Sequence, residues 1–198
     1  GNVFAQYIFG NLVGSFSFSA PKIISTGQGG AIITNDDKVA ERLRKLKDFG
    51  RLKGGNDIHD SIGYNFKFTE LQACVGIEQM KKLPMRVERK KEIFNHYKKE
   101  LKGLAEVRLF DHDLKNTSPW FIDCLANDRD NLITFLKNKG IGSRPMYPPI
   151  NRQKIYKTND CFPNSEYIGK KGLWLPSAVQ LTDDEVTRIC LEINNFYI

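Results

Sequence analysis

The chain has 198 residues, of which 40% are hydrophobic and 27% charged, and its formal net charge is +7. These proportions predict a soluble, globular protein with a substantial core, built as one large domain or two small ones. No stretch approaches the ~20 apolar residues of a membrane-spanning helix, and the first residues lack a signal peptide's basic leader and cleavage site. We therefore expect a cytoplasmic location.

Cysteine and histidine residues show no spacing that would hold a metal. Four cysteines lie tens of residues apart, each near apolar neighbours: Cys74, Cys124, Cys161 and Cys190. The three histidines are equally scattered. Because zinc sites need paired ligands a few residues apart, we expect buried free thiols and no structural metal.

The positive charge is spread along the chain. Basic pairs such as Lys81-Lys82 and Lys98-Lys99 alternate with glutamates at helical spacing. This pattern is typical of a solvated helix face with ion pairs. A nucleic-acid-binding protein concentrates such charge on one surface, so we expect no nucleic-acid partner. A modest basic excess also suits a phosphorylated ligand.

The first predicted strands flank a lysine. Residues 15–18, Ser-Phe-Ser-Phe, alternate polar and aromatic side chains with the period of a pleated strand. Pro21 ends this strand, Lys22 follows beside two isoleucines, and a glycine-rich turn leads to a second strand over residues 31–34. Burial at a strand end disfavours the ammonium form of Lys22, as a Schiff-base lysine requires. A solvated loop lysine is the alternative for any lysine taken alone.

A helix and a tight segment are predicted next. Residues 37–49 place apolar side chains on one helical face, Asn35-Asp36 can cap this helix, and Gly50 ends it. An exposed polar loop is expected over residues 51–61. The tripeptide Gly63-Tyr64-Asn65 follows, and composition alone makes Asn65 a turn residue.

A capping box predicts where the next helix begins. Thr69 and Gln72 have the required Thr-x-x-Gln spacing. The helix should run to Pro84 and direct four apolar residues towards a core: Leu71, Cys74, Val75 and Leu83. A longer helix is expected over residues 85–101.

The remaining residues predict a small α/β unit. Short apolar strands are expected over residues 107–110, 120–126 and 173–175, with a helix over residues 131–138. A second capping box at Thr182 and Glu185 should begin a last helix. In the proline-rich turn over residues 141–149, Arg144 and Tyr147 either face a ligand or belong to a structural connector, since loops of this kind serve both purposes.

Four segments together resemble one family of enzymes. Residues 15–36, SFSFSAPKIISTGQGGAIITND, are similar to the Schiff-base segment of the nucleotide-sugar aminotransferases, the DegT/StrS family of fold-type I pyridoxal-phosphate enzymes. Residues 63–101 resemble the helix pair that follows this family's GYN motif. Residues 138–150 resemble the turn before its sugar site, and residues 175–189 its terminal strand and helix.

The resemblance implies an α/β fold and a transferase activity. Residues 1–83 would be the C-terminal part of an aspartate-aminotransferase-like (PLP fold type I) large domain, and residues 84–198 a small α/β domain. The implied reaction transfers an amino group from an amino acid, with glutamate the expected donor, to a nucleotide-linked keto-deoxy sugar in glycan biosynthesis. The implied partners are these two substrates and a second copy of the chain, in a homodimer with shared active sites.

The resemblance also assigns roles to particular residues. Lys22 would form the Schiff base with pyridoxal 5'-phosphate and then act as general acid and base for the proton shift. Ser17 would hydrogen-bond the cofactor phosphate, and Asn65 would reach the cofactor phosphate of the neighbouring subunit. Substrate contacts would come from Lys67, Arg144 and Tyr147.

Two departures from the family pattern bear on these expectations. The family's upstream half, which carries the phosphate-binding turn and the acid facing the pyridine nitrogen, has no counterpart here. We therefore expect a fragment, or one piece of an enzyme with a separate N-terminal half. Lys67 stands where the family often has arginine, and the two are not interchangeable at a bidentate contact. A non-catalytic interaction or regulatory module derived from the same fold is the alternative, which the intact lysine segment disfavours.

Overall fold

A computed structural model describes residues 4–8, 11–156 and 158–198, with only the backbone given for residues 4–8, 11 and 12. The chain divides into two units, Gly1–Met85 and Arg86–Ile198. The division lies close to the boundary predicted between residues 83 and 84, whose assignment to a large and a small domain stays a prediction. Within the described ranges, no helix is long and apolar enough to cross a membrane.

The first unit contains a three-stranded antiparallel sheet. Its strands are β1 (Phe4–Ile8), β2 (Asn11–Ser17) and β3 (Gly30–Thr34), in the order β1-β2-β3. Strand β2 corresponds to the strand predicted over residues 15–18. It begins earlier than predicted, at Asn11, and ends one residue sooner, at Ser17. Pairing with β1 explains the extension, because the ladder opposes Ile8 to Asn11 and continues to Phe4 and Ser15.

The helices of this unit begin where their caps predict. Helix α1 (Asp37–Lys47) has Asp36 as N-cap, whose carboxylate accepts from the amides of Lys38 and Val39 at 2.8 and 3.1 Å. It ends two residues before the predicted Phe49, because Phe49 has a positive φ of 59°. Helix α2 (Glu70–Lys81) starts with the predicted capping box of Thr69 and Gln72.

Helix α3 (Leu83–Glu100) joins the two units in sequence. It begins at Leu83, two residues earlier than predicted, so Pro84 lies inside its first turn. A proline is tolerated there because the amides of the first turn have no partner within the helix. Pro84 therefore does not separate the two helices as the sequence suggested.

The prediction that α2 directs its apolar residues into a core is wrong for this chain. Leu71 is 81% exposed and Val75 is 49% exposed, while Leu83 is half-buried. A helix buries an apolar face only against a second layer, and no described residue supplies that layer here. For the same reason Cys74 is exposed on α2, and Cys161 is exposed in a loop outside the core, so the predicted burial is right only for Cys124 and Cys190.

The second unit packs three helices around a four-stranded antiparallel sheet. Its strands, in the spatial order β4-β5-β7-β6, are β4 (Val107–Leu109), β5 (Ile122–Ala126), β6 (Arg144–Pro145) and β7 (Gly172–Leu175). Its other helices are α4 (Arg129–Asn138), α5 (Pro163–Lys171) and α6 (Asp183–Tyr197). The core joins α3, α4 and α6 to one sheet face, with Phe94, Ile122, Leu132, Leu173 and Ile193 buried.

Two elements of this unit were missed from the sequence. Helix α5 has Pro163 in its first turn, a signal that could have predicted it. Strand β6 is too short for any periodicity to show. The second capping box, at Thr182 and Glu185, is confirmed. The predicted ion pairs along α3 are also present, since Arg89 lies 3.0 Å from Glu92 and Lys91 lies 3.0 Å from Glu88.

A buried lysine joins α3 to two loops at one end of the inner strands β5 and β7. The Lys90 Nζ donates to the Trp120 carbonyl at 2.8 Å, to the Ser177 carbonyl, and to the Ser177 hydroxyl at 3.2 Å. Lys90 is only 6% exposed, and burial lowers its pKa to about 8. Three acceptors match the three N–H groups of an ammonium, which is the form that predominates at neutral pH.

The lowered pKa of Lys90 predicts a pH dependence of stability. Between pH 8 and the ordinary lysine value of 10.5, the unfolded chain binds a proton that the folded chain has lost. The free energy of unfolding should therefore rise with pH across this window, by up to ~1.4 kcal/mol per unit. Denaturant unfolding of wild type and of Lys90→Met at several pH values measures this term as their difference.

The difference between the two proteins is needed because other groups oppose this trend. Burial raises the pKa values of Cys124 and Cys190 to about 12, so the folded chain keeps their protons above pH 9 and stability falls there. Both thiols are common to wild type and Lys90→Met, so their contribution cancels. A wild-type minus variant difference that is flat from pH 8 to pH 10 would contradict the prediction.

Candidate active site

A closed loop carries Lys22 between β2 and β3. The Phe18 amide donates to the Gly29 carbonyl at 2.9 Å, and the Thr26 amide donates to the Phe18 carbonyl at 2.9 Å. The same carbonyl accepts from the Ser25 hydroxyl at 3.1 Å. Three hydrogen bonds at one residue thus join the two ends of the loop and hold the segment between them in a fixed path.

Lys22 is placed on this loop by a backbone turn and by two buried neighbours. Its amide donates to the Ser19 carbonyl at 3.0 Å, while Ile23 and Ile24 are 6% and 9% exposed. These isoleucines anchor the turn, so the lysine stem starts from a fixed position. The side chain is half-buried, and this burial lowers the pKa of Lys22 below the ordinary 10.5. A larger share of the amine is therefore neutral, and only that form is a nucleophile.

Ser17 lies at the end of β2 beside the same turn. Its backbone pairs with Gly30 of β3, and its exposed hydroxyl lies 3.1 Å from the Ser19 hydroxyl. Ser19 therefore touches both predicted residues, through its hydroxyl to Ser17 and through its carbonyl to Lys22. Ser17 and Lys22 thus lie on one segment, and the cofactor roles that the resemblance implies for them stay predictions.

Two glycines permit this close packing. A Cβ on Gly30 would lie 2.4 Å from the Phe16 carbonyl oxygen, so no side chain fits between the strands there. Gly29 has a φ of +119°, a conformation that other residues rarely adopt, and a Cβ on it would meet the Phe68 ring at 2.6 Å.

Asn65 belongs to a second segment, which runs alongside the end of α1. The Tyr64 amide donates to the Leu46 carbonyl at 2.7 Å, and the Phe66 amide donates to the Lys47 carbonyl at 3.0 Å. Asn65 itself forms a backbone bridge with Asp48 and has an exposed side chain. It is therefore held in extended backbone, unlike the turn that its composition alone suggested.

Lys67 lies beside Asn65, and its charge is paired. Its Nζ is 3.0 Å from an Asp48 carboxylate oxygen and 4.6 Å from the centre of the Phe49 ring. The hydrogen bond from Lys67 and its charge, followed by the charge of Arg51, keep the pKa of Asp48 below its usual value. The predicted substrate contact of Lys67 stays a prediction, and any anion there would compete with Asp48.

Gln72 connects the lysine loop to α2, a role that the sequence did not reveal. Its side-chain oxygen accepts from the Thr69 amide at 3.0 Å, which completes the capping box. Its amide nitrogen donates to the Gln28 carbonyl at 2.9 Å. The cap was visible in the sequence, whereas a partner 44 residues away was not.

In the second unit, Arg144 and Tyr147 come together over a tryptophan. The Arg144 guanidinium lies 5.2 Å from the centre of the Tyr147 ring and 5.6 Å from that of Trp174. The two rings meet edge to face at 4.8 Å. Arg144 stands opposite Trp174 in the β6–β7 ladder, which fixes the origin of its side chain. Its planar charge is thus supported by two rings, and it pairs with no acidic group in the described part of the chain.

The groups around Lys22 fit the chemistry that pyridoxal phosphate requires. The cofactor needs an amine for its aldehyde and hydrogen-bond donors for its phosphate. Lys22 supplies an amine of lowered pKa, and the hydroxyls of Ser17 and Ser19 supply adjacent donors on the same segment. No cluster of three metal-binding side chains occurs within the described residues.

Comparison with known proteins identifies the family of this chain. The family model of the DegT/DnrJ/EryC1/StrS aminotransferases matches residues 9–194. The chain belongs to this family. Members of the DegT/DnrJ/EryC1/StrS family are aminotransferases that depend on pyridoxal phosphate, and sugar aminotransferases are among them.

Two curated relatives are GDP-perosamine synthases. The protein of Escherichia coli O157:H7 is 34% identical over 189 residues, which cover 93% of this chain and 52% of that protein. The protein of Vibrio cholerae is 32% identical over 193 residues, which cover 93% and 53%. The chain therefore spans about half the length of the curated relatives that it matches.

A solved aminotransferase structure confirms the α/β fold. The aminotransferase TlmJ from Streptoalloteichus hindustanus superposes with a TM-score of 0.85 at 27% identity. The match covers 92% of this chain and 51% of the TlmJ chain. The predicted resemblance to sugar aminotransferases is thus confirmed at the level of family and fold.

Proposed function

We propose that this chain contributes the reactive lysine to an aminotransferase that uses pyridoxal phosphate. The enzyme transfers an amino group from glutamate to a keto-deoxy sugar carried on a nucleoside diphosphate, for glycan biosynthesis. The observation that carries the proposal is the position of Lys22, half-buried between the ends of β2 and β3 with a lowered pKa. Family membership supports the reaction class.

The residues around Lys22 have separate tasks in this proposal. The cofactor, when bound, supplies the electron sink for the reaction. The Lys22 amine would hold the cofactor through its aldehyde and, once released by the amino donor, would take up and return a proton as general base and acid. The Ser17 hydroxyl would donate to the cofactor phosphate. The hydrogen bond from the Lys22 backbone amide to the Ser19 carbonyl holds the lysine close to the two serine hydroxyls.

Asn65 is the residue from which we propose a quaternary structure. Its side chain is exposed on an extended segment held by backbone hydrogen bonds, so it can contact another molecule. We assign it to the cofactor phosphate of a second copy, in a homodimer whose active sites are shared. Lys67, Arg144 and Tyr147 are assigned to the substrates, with Arg144 suited to an anionic group because its charged, planar guanidinium can donate two parallel hydrogen bonds.

The half-reaction with the amino donor tests this function. Protein loaded with pyridoxal phosphate is mixed with glutamate and no sugar, and 2-oxoglutarate is measured. About one equivalent per site is expected, because a ping-pong enzyme stops until an acceptor arrives. The assay is run on the chain alone and on the chain co-expressed with the N-terminal half of the E. coli relative. No keto acid from either sample would favour the non-catalytic module.

A further inference from the structure

A cleft of about 640 Å³ lies on the second unit, between the proline-rich turn and α5. Aromatic and aliphatic side chains line it, including Tyr147, Tyr156, Phe162 and Ile168. These four are between 36% and 60% exposed, so their faces are available to a ligand. Such a volume and lining are typical of a site for a flat organic group.

The wall of the cleft is held by polar contacts. The Asn151 amide donates to the Asp160 carbonyl at 3.1 Å and to Glu166 of α5 at 3.3 Å. Arg152 forms an ion pair with the same Glu166 at 2.6 Å. On the opposite wall, Pro149 packs on Gly169, where a Cβ would lie 2.6 Å from the proline ring. The lining is therefore largely preformed.

One carboxylate in the cleft, that of Asp160, calls for hydrogen-bond donors on the ligand. Thr158 donates to Asp160 Oδ2 at 2.7 Å, while Oδ1 accepts from no other described residue. An ionised carboxylate only accepts hydrogen bonds, so the facing edge of the ligand must carry donors. Guanine presents two neighbouring N–H donors on one edge. Uracil and thymine present one donor between two carbonyl oxygens, which a carboxylate repels.

A cation lies next to this cleft. Tyr147 lines the cleft and also packs against the Arg144 guanidinium, at 5.2 Å from its ring centre. Arginine is well suited to bind phosphate, because its planar fork donates two parallel hydrogen bonds. One end of the site therefore suits a base, and the neighbouring end suits its phosphates.

We propose that this cleft binds the guanine base of a guanosine diphosphate sugar, with Asp160 accepting from the base and Arg144 contacting the diphosphate. The proposal rests on the nucleotide-sugar substrate of the proposed function and specifies its nucleotide. The aromatic side chains stack on the base, and this contact does not distinguish one base from another. The preference for guanine therefore comes from Asp160. Every named residue lies in one unit, so binding does not depend on Lys22 or on the cofactor.

Calorimetric titration of the chain with GDP, guanosine and UDP tests this site. GDP should bind at least about tenfold more tightly than UDP, the discrimination of a good bidentate contact to a base. Asp160→Asn should lower the affinity for GDP and for guanosine alike, by about tenfold or more. Arg144→Gln should lower the affinity for GDP but leave the affinity for guanosine unchanged. Asp111→Asn, at a carboxylate 93% exposed on the same unit, is the matched control and should change neither.

Equal affinity for GDP and UDP, or equal effects of Asp160→Asn and Asp111→Asn, would overturn the base site. Circular dichroism of each variant separates lost binding from lost folding. The two proposals fail separately, because binding needs no turnover. Loss of the base site leaves the half-reaction with glutamate intact, whereas a chain that binds GDP but yields no keto acid refutes only the aminotransferase.

Discussion

Replacing Lys22 by alanine is expected to remove the main site at which pyridoxal phosphate attaches to this chain. Reduction with borohydride fixes the cofactor to any lysine that has reacted, and peptide mapping then identifies that lysine. Among the lysines that the cofactor can reach, Lys22 should dominate the map of the wild-type chain, because burial lowers its pKa and leaves more neutral amine than a solvated lysine has. Lys90 has a lowered pKa too, but it is buried. Amino transfer by the chain co-expressed with the N-terminal half of the E. coli relative should fall by about 10³-fold or more, since a general acid–base group alone contributes roughly 10²–10⁴-fold.

The matched control for this experiment is Lys53→Ala. Lys53 lies in the exposed loop of the same unit, so its removal should leave both labelling and activity unchanged. The pH profile adds a second readout. Labelling of Lys22 should reach its midpoint below the ordinary lysine pKa of 10.5, because its folded-state pKa is lowered. Cofactor spread over surface lysines, with Lys22 no more modified than Lys53, would show that the turn does not activate the amine.

Local signals in the sequence predicted much of this structure. Asp36, Thr69 and Thr182 each begin a helix through a bond to an amide two or three residues away, so the pattern contains the whole interaction. The segment holding Lys22 was equally local, because it joins two adjacent strands. Its chemistry was not predicted by local physics alone, since many lysines stand near apolar residues. The role of Lys22 was predicted because the GYN motif and two further segments resemble the same family.

Other features depend on contacts that no local pattern contains. The side of α2 that carries Leu71 has the apolar spacing of a buried face, yet nothing in the described chain covers it. The pairing of Lys67 with Asp48 requires residues 63–67 to run along the end of α1, which depends on long-range backbone bonds. The same holds for Gln72 and Gln28, and for the wall that Asn151 builds in the cleft. Spacing predicts a cap, but not a contact across 44 residues.

The segment that holds Asn65 depends on two glycines in backbone contact. A Cβ on Gly63 would lie 1.9 Å from the Gly50 amide nitrogen and 2.3 Å from the Phe49 carbonyl carbon. Both neighbours are backbone atoms, so no side chain can move aside to make room. Gly50 is constrained as well, because its φ is +73° and a Cβ on it would lie 1.9 Å from the Ser61 carbonyl oxygen.

Gly63→Ala should therefore destabilise this segment by about 3 kcal/mol, the upper end of the usual cost of overpacking. The amides of Tyr64 and Phe66 bond to the end of α1, so they report the loss directly. Their hydrogen exchange should accelerate by about 100-fold, because each 1.4 kcal/mol is a factor of ten. Exchange in β5 should not change, since that strand belongs to the other unit.

Gly54→Ala is the control for the effect of a methyl group on the loop. A Cβ there would meet no atom within 4 Å, so the substitution should be neutral, or stabilising by up to about 1 kcal/mol through the unfolded chain. Because Asn65 is held by the same backbone, Gly63→Ala should also weaken the homodimer proposed above, whereas Gly54→Ala should not. Similar exchange rates at Tyr64 in both variants would mean that the two glycines are not packed against each other, and the rigid placement of Asn65 would then be wrong.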